Sequence, residues 1–500
     1  MSLLGLDIGT TGCKAIVFSE ELELLGSAYR EYPLVHPRPG WSELDPASVW
    51  EKVEAAIIEA VAKAGDADPV RAVATSVQGE AACPVDGDGR PLGNSIVTFD
   101  PRTEPQAAQL AQRVTPEELY LLSGQPLHPM GTVNKVAWWK QARPDIYSAT
   151  AKFLCFGDFA LSQLGVEPVM DRSIAARTMA YDLVRDRWSA KVLDVFGIDE
   201  SILPRVAPSG TAVGTIPDDI AERLGLPAGV VAVTGAHDQP CGALGAGATS
   251  PGRAMYAIGT VECVTPCLPG FVPGLGERGF PCYPHAAPGR FVTLGYNFGG
   301  GSVLRWYRDQ FGLAEMEEAR ATGAEVYDLL LRDVDASVGS LLLLPHFAGT
   351  GTPWLDVASK GAIAGLTLET TRADVAKAIL EGTTYEIAVN VAEMRAAGVE
   401  ISELRAIGGG SRSDVWLQIK SDVLGTPLAR LAVPEAATLG AALLAGAGAG
   451  RFEDVAAVAE EVARPQRVFE PDPERHERHS ERLQLYRNLY PVLRDTLHAL

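Results

Sequence analysis

The same local pattern opens this 500-residue chain twice, and a fold must accommodate both copies. Residues 4–14 read Leu-Gly-Leu-Asp-Ile-Gly-Thr-Thr-Gly-Cys-Lys. Leu4, Leu6 and Ile8 alternate at period two, and Cys13, Ala15 and Val17 resume the alternation beyond the turn. Period two on both sides of a glycine-rich turn predicts a β-hairpin. After Gly252 the pattern returns, with a strand over Arg253–Ile258, a Gly259-Thr260 turn and strand again over Glu262–Pro266. Between the copies, Gly-Ala-Thr-Ser-Pro-Gly at 247–252 has the composition of a linker. A division into residues 1–247 and 252–500 follows, and this length is too great for one ordinary core.

The remaining pattern mixes strands with helices, which predicts an α/β class. Leu25–Leu34 would complete a three-stranded meander. Pro46 starts an amphipathic helix carried by Val49, Trp50, Val53, Ile57, Ile58 and Val61. Strands are expected at Val70–Ser76, Ile96–Phe99, Val230–Thr234 and Leu404–Ile407, with helices at 104–113, 116–122 and 133–141. Ser413–Leu424 reads as a helix stopped by Gly425 and Pro427. Thr438–Ala447 is a small-residue helix suited to close backbone packing, and 473–499 is a charged helix with a docking stripe of Leu483, Tyr486, Leu489, Tyr490 and Leu493.

Several function classes are excluded early. A net charge of −20 opposes binding to a nucleic-acid backbone. No apolar run approaches a membrane span, and the N-terminus enters a strand without a basic or signal-like region. The seven cysteines are scattered among apolar neighbours without zinc-type spacing, as expected of free thiols in a reducing cytoplasm. There is no Gly-Lys dipeptide and hence no P-loop. His-Glu-x-x-His and Gly-x-Ser-x-Gly are absent, and Gly242, Gly245 and Gly247 do not fit the dinucleotide fingerprint.

The polar residues at strand ends carry what chemistry the chain has. Gly9 and Gly12 allow close backbone approach, so the amides and hydroxyls around Thr10 and Thr11 can face phosphate oxygens. A tight hairpin has the same composition. Asp7, just before that turn, could hold Mg²⁺ directly or through water. Asp238 follows a buried strand, where ligands bind in α/β sheets, although it could instead cap the next helix. His237 reads as a structural hydrogen-bonding residue. Gly408-Gly409-Gly410 leaves room for a flat ring, or simply turns the chain. Gln78, Glu80, Asp100 and Arg102 can all hydrogen-bond hydroxyl groups, or be solvated loop residues. Glu80 lies among Gly79, Ala81 and Ala82, where a lone carboxylate needs a partner.

Taken together these segments resemble the FGGY family of carbohydrate kinases. The resemblance spans nearly the whole chain: Asp7-Ile-Gly-Thr-Thr-Gly12, Gly40-Trp-Ser-Glu-Leu-Asp-Pro46 with Trp50, Met130-Gly-Thr-Val-Asn-Lys-Val-Ala-Trp138, Asp171-Arg-Ser-Ile-Ala-Ala-Arg-Thr178, the Asp238 segment, Gly259-Thr260, Gly349-Thr-Gly-Thr-Pro353 and Gly408–Asp422. It implies two actin-like ATPase (ribonuclease H-like) domains flanking a central cleft, with ATP and Mg²⁺ as cofactors. By resemblance, Asp7 would organise the metal and Asp238 would be the base for the sugar hydroxyl. Gln78, Gly79, Glu80, Asp100 and Gln239 would hold a small sugar or polyol. Thr10, Thr11, Lys14, Gly259, Thr260, Gly409, Gly410 and Ser413 would face the nucleotide.

The match loosens at the substrate. Xylulokinases typically carry Met-His at Gly79-Glu80 and Asn-Asp at Phe99-Asp100. Gln78-Gly-Glu80 is nearer the Gln-Arg-Glu of glycerol kinases, without the arginine. Trp139 stands where an aliphatic residue is usual, Val261 where Ser is common, and Gly351 where Arg is common. The expected activity is ATP-dependent phosphorylation of a ketopentose such as xylulose or ribulose. The alternatives are a glycerol- or erythritol-type polyol kinase, or a catalytically weak sugar- or nucleotide-binding sensor of the same fold. Asp7, Asp238 and both Gly-Thr turns favour the enzyme, since a sensor needs no base. Dimers are common among related kinases, which leaves room for a homodimer.

Overall fold

A computed structural model describes residues 1–65, 67–432 and 435–500. The first hairpin forms as expected. Strands β1 (Ser2–Ile8) and β2 (Gly12–Phe18) pair antiparallel, with Asp7 opposite Lys14, and β3 (Leu24–Glu31) continues the meander. This third strand stops short of the expected Leu34, because Pro33 has no N–H to give to a ladder. On the other side of β1 runs the parallel strand β4 (Val70–Val77), pairing Asp7 with Ser76. Strands β5 (Ala212–Thr215), β6 (Val231–Val233) and β7 (Ala236–His237) complete the sheet, in the order β5-β6-β4-β1-β2-β3 with β7 also on β4.

The second sheet repeats the plan. Its hairpin is β8 (Gly252–Ile258) and β9 (Glu262–Leu268), followed by β10 (Cys282–Pro284), β11 (Phe291–Thr293) and β12 (Gly295–Asn297). Then β13 (Ile401–Ile407) runs parallel to β8 as β4 runs parallel to β1, with β14 (Leu428–Leu431) and β15 (Pro465–Phe469) beyond. The order is β10-β11-β9-β8-β13-β14-β15, with β12 on β9. Even the register slip recurs, between Ser2 and Leu3 in one sheet and Gly252 and Arg253 in the other. The seven cysteines are buried and free.

The sheets are joined by helices that cross. Helix α1 (Pro46–Ala64), capped by Asp45, covers the first meander. Two more helices matter to the site, α2 (Thr132–Ala142) and α3 (Arg172–Arg177). After β7 the chain enters α4 (Asp238–Gly245), which packs against α5 (Ala436–Gly448). That second helix belongs to the C-terminal half yet lies on β1 and β4 of the first sheet. Contact is backbone to backbone: a methyl group on Gly245 would stand 1.8 Å from the Ala436 carbonyl oxygen, one on Gly440 2.0 Å from that of Cys241, and one on Gly5 2.1 Å from that of Thr438. One apolar core is accordingly shared, with Leu3, Ile16, Ala74, Val233 and Leu244 meeting Leu439, Leu443 and Val455.

Two expected boundaries move. The strand expected at Ile96–Phe99 is only Ser95–Ile96, paired with Glu43–Leu44, since that partner offers no further ladder. The chain then turns, leaving Phe99 more than half exposed. The helix expected from Ser413 begins at Asp414, with Ser413 as its N-cap.

Candidate active site

A cleft of about 650 Å³ opens where the carboxyl ends of β4 and β7 meet residues 279–298 and 350–357 from the other half. Its lining includes Thr10, Gln78, Gly79, Glu80, Asp100, Asp238 and Gln239, so the sugar-side residues expected from sequence are brought together.

Glu80 is almost fully buried, and the partner it needs is Arg177 at the end of α3, which forms an ion pair with it. Thr98 donates a hydroxyl hydrogen bond to Glu80 Oε2 (2.8 Å). Glu80 also has φ = +59°, a left-handed conformation that side chains adopt at a cost and that clusters at functional sites. Its carbonyl accepts from Thr132 Oγ1 (3.1 Å) and Lys135 Nζ (3.2 Å) on α2, which hold the turn. Lys135 is wholly buried, and burial lowers its ammonium to about 8 against the pull of Glu80. Arg177 and Lys135 lie within the family-like motifs at 171–178 and 130–138, but the sequence assigned them no role.

Gly79 has a reason of its own. A side chain there would begin 3.0 Å from the His237 ring and 3.5 Å from Arg177 Nε, so the space that the arginine of the glycerol-kinase pattern would need is taken. Gly351 is similar, since a methyl group on it would meet the Tyr296 carbonyl oxygen at 2.1 Å.

Asp100 corrects the reading from sequence. Its Oδ1 accepts from Arg102 N and Nε (both 2.9 Å), and its Oδ2 from Ser42 N (2.6 Å) and Arg102 Nη2 (2.7 Å). Four donors fill the four lone-pair sites of a carboxylate, which leaves none for a sugar hydroxyl. Arg102 stacks on Trp41 (3.8 Å) and pairs with Glu43 (2.5 Å). The Gly40–Pro46 motif thus supplies the clamp on this turn.

Asp238 is the first residue of α4. The helix is capped by neither it nor His237, so the capping alternative is not realised. Its side chain keeps about a third of its surface open to the cleft (36%), and Oδ1 has no hydrogen-bond partner among the described residues. Protein surrounds it, and this desolvation, with Asp7 as the next contributor, raises the carboxyl to about 7. His237 is held neutral, its affinity for a proton lowered by burial and by Arg177. Its Nδ1 lies 3.1 Å from Tyr283 Oη and its Nε2 3.2 Å from Asp238 Oδ1. Ser173, on α3, accepts the His237 backbone N–H (2.8 Å) and is itself held by the capping residue Asp171. Motif 171–178 therefore anchors both Arg177 and the start of α4.

On the phosphate side, Gly9 N donates to Gly12 O, and Gly259 N to Val261 O, each at 3.0 Å, so the first turn closes over four residues and the second over three. Thr10 Oγ1 donates to Gln78 Oε1 (3.1 Å), whereas Thr11, Gly259 and Thr260 are exposed. Burial raises the proton affinity of Asp7, against a hydrogen bond from Ser76 (2.9 Å). Lys14 pairs with Glu435 from the other half (2.6 Å). Gln239 accepts from Thr265 (3.4 Å).

The glycine run divides. Gly408 has φ = +85°, a side chain on Gly410 would strike Ile258 at 2.3 Å, and only Gly409 faces open space. Gly410 is thus accounted for by packing, and Ser413 by its bond from Trp416 N (3.4 Å) at the helix cap. Among the described residues no three His, Cys, Asp or Glu cluster as a metal cage.

Two sheets of repeated plan, each opening on a hairpin with a glycine-threonine turn, and a cleft that holds Asp238 are the layout of a two-lobed phosphotransferase. The chain belongs to the FGGY family of carbohydrate kinases, whose N-terminal domain matches residues 2–245 and whose C-terminal domain matches 261–449. It is 27% identical to a xylulose kinase of Bacillus subtilis, over 100% of this chain and 98% of that protein. It is 31% identical to a glycerol kinase of Halorhodospira halophila, over 99% and 96%. The crystal structure of a xylulose kinase from Rhodospirillum rubrum superposes with a TM-score of 0.87 at 27% identity, covering 100% of both chains. Kinases of this family take their phosphoryl group from ATP. No helix among the described residues is long and apolar enough to cross a membrane.

Proposed function

We propose that this kinase phosphorylates a hydroxyl of a ketopentose such as xylulose or ribulose, with residues 1–247 holding the sugar and 252–500 the nucleotide. The observation that carries the reading is Asp238, a carboxylate with raised proton affinity whose side chain keeps about a third of its surface open to the cleft. Full-length likeness to xylulose kinases supports the sugar class.

In this mechanism the Asp238 carboxylate receives the proton of the substrate hydroxyl as its oxygen attacks the γ-phosphorus. Glu80 and Gln239 orient the sugar, and neutral His237 keeps Asp238 in place. The backbone amides and hydroxyls of Thr10, Thr11, Gly259 and Thr260 face the phosphates, with Lys14 on the same side. Gly409 leaves room for adenosine.

Asp7 and Asp238 fit a divalent cation, because burial raises both carboxyls, the Asp7 charge raises Asp238 further, and a cation would relieve both. Mg²⁺, when bound, would neutralise phosphate charge. Asp7 would hold it, directly or through water.

Incubation with Mg-ATP and a panel of pentuloses and polyols, followed by ADP release, tests the reading. The expected result is turnover fastest on a ketopentose. Preference for glycerol or a tetritol would instead support a polyol kinase, and no turnover on any would support a sensor.

A further inference from the structure

The last turns of the chain are tied to the wall of the cleft. Residues 350–357 contribute Thr350, Thr352, Leu355 and Val357 to its lining. Gln78, Glu80, Asp238 and Gln239 line the same cavity, whereas of the residues assigned to the nucleotide only Thr10 does so among the described residues. The segment therefore belongs to the sugar side, although it comes from the C-terminal half. Leu355 has φ = +51°, a left-handed conformation that a bulky side chain keeps only where the surroundings impose it.

Two anchors hold the segment. At one, Thr352 Oγ1 accepts from Tyr296 N (2.8 Å). The other is Asp356, whose N–H donates to Thr350 Oγ1 (2.8 Å) and whose carbonyl accepts from Thr350 N (2.9 Å), closing the segment on itself. The Asp356 carboxylate is gripped by the C-terminal helix, Pro473–Ala499: its Oδ2 accepts from Tyr490 Oη and from His498 Nε2 (2.6 Å). The Tyr490 ring also lies 5.2 Å from those of Trp354 and His346. Tyr490 and His498 do not themselves line the cleft. A wall built on a loop is placed only as well as the bonds behind it. Resting on the reading of this cavity as the sugar's, we infer that Tyr490 and His498 are positioning residues. Through Asp356 they hold residues 350–357 against the bound sugar, so the end of the C-terminal helix sets sugar affinity without touching substrate.

Tyr490→Phe combined with His498→Ala tests this, because the ring stays against Trp354 while both donors are lost. The measurement is steady-state kinetics on the pentulose or polyol that wild type turns over best, at saturating Mg-ATP. KM for that substrate should rise about 5- to 10-fold with kcat within about twofold of wild type. Loss of folded protein alone would lower kcat and leave KM where it was. Tyr490→Phe with His498→Gln returns one N–H to Asp356 and should bring KM most of the way back. If the double variant does not fold, His498→Ala against His498→Gln makes the same comparison at a side chain that is 39% exposed. A sugar KM equal to wild type, or no difference between the Ala and Gln variants, would overturn the inference and leave the proposed reaction intact. A wild type that turns over no pentulose or polyol would bring down the sugar reading of the cavity, and the inference with it.

Discussion

Glu80 shows what a sequence tells at the residue scale and what it hides. A carboxylate among small apolar neighbours needs a partner, and that need was legible. Arg177 was not, because it is brought in from α3 almost a hundred positions away. Asp100 misled for the opposite reason: Arg102, two positions on, takes its lone pairs, and hydrogen-bond saturation has no signature in a pattern. The raised Asp238 carboxyl sets a pH dependence. A base works only when ionised, so kcat/KM should fall about tenfold per unit as pH drops below about 7 and level off above it. A flat profile down to pH 5 would exclude Asp238 as the titrating group.

A second residue prediction concerns the buried pair behind the Gly259 turn. Lys420 Nζ binds both Glu262 oxygens (2.9 and 3.0 Å) and Tyr256 Oη (2.7 Å), with the ion pair wholly buried. Lys420→Met strands a buried carboxylate and should cost about 3–5 kcal/mol by denaturant unfolding. Adding Glu262→Gln should recover much of that loss. Equal stability of the single and double variants would show that the pair is not coupled.

Elements were legible where periodicity is clean. Both hairpins follow period two, and the 473–499 helix buries Tyr486 and Tyr490 from its predicted stripe. The two-residue strand at Ser95–Ile96 was over-read, because apolar composition continues to Phe99 while the ladder partner does not. The small residues of 438–447 announced close packing, but not against which helix. Gly245 and Gly440 supply that answer at the α4–α5 crossing. Gly245→Ala gains helix propensity of about 1 kcal/mol. It also drives a methyl group into the Ala436 carbonyl, and overpacking of this kind costs about 1–3 kcal/mol. The variant should therefore melt lower than wild type. A higher melting temperature would mean that the crossing has slack.

Over the whole molecule, the doubled hairpin was enough to foresee two sheets of one plan. It did not show that α5 returns to the first sheet and shares a core with it. With ligand residues in both halves, sugar and a non-hydrolysable ATP analogue together should close the cleft. The radius of gyration in small-angle scattering should shrink, and an unchanged profile at saturation would contradict a hinged cleft. Asp238 is the point common to every part of this account. It follows the last strand of the first sheet, opens the helix that crosses to the other half, and lines the cleft. Asp238→Asn keeps its shape and removes its capacity to take a proton, so the central measurement is kcat of this variant on the sugar that wild type turns over best. The account predicts a fall of about 10²–10⁴-fold, with sugar binding retained and no loss of melting temperature. A variant that kept most of its turnover would contradict it.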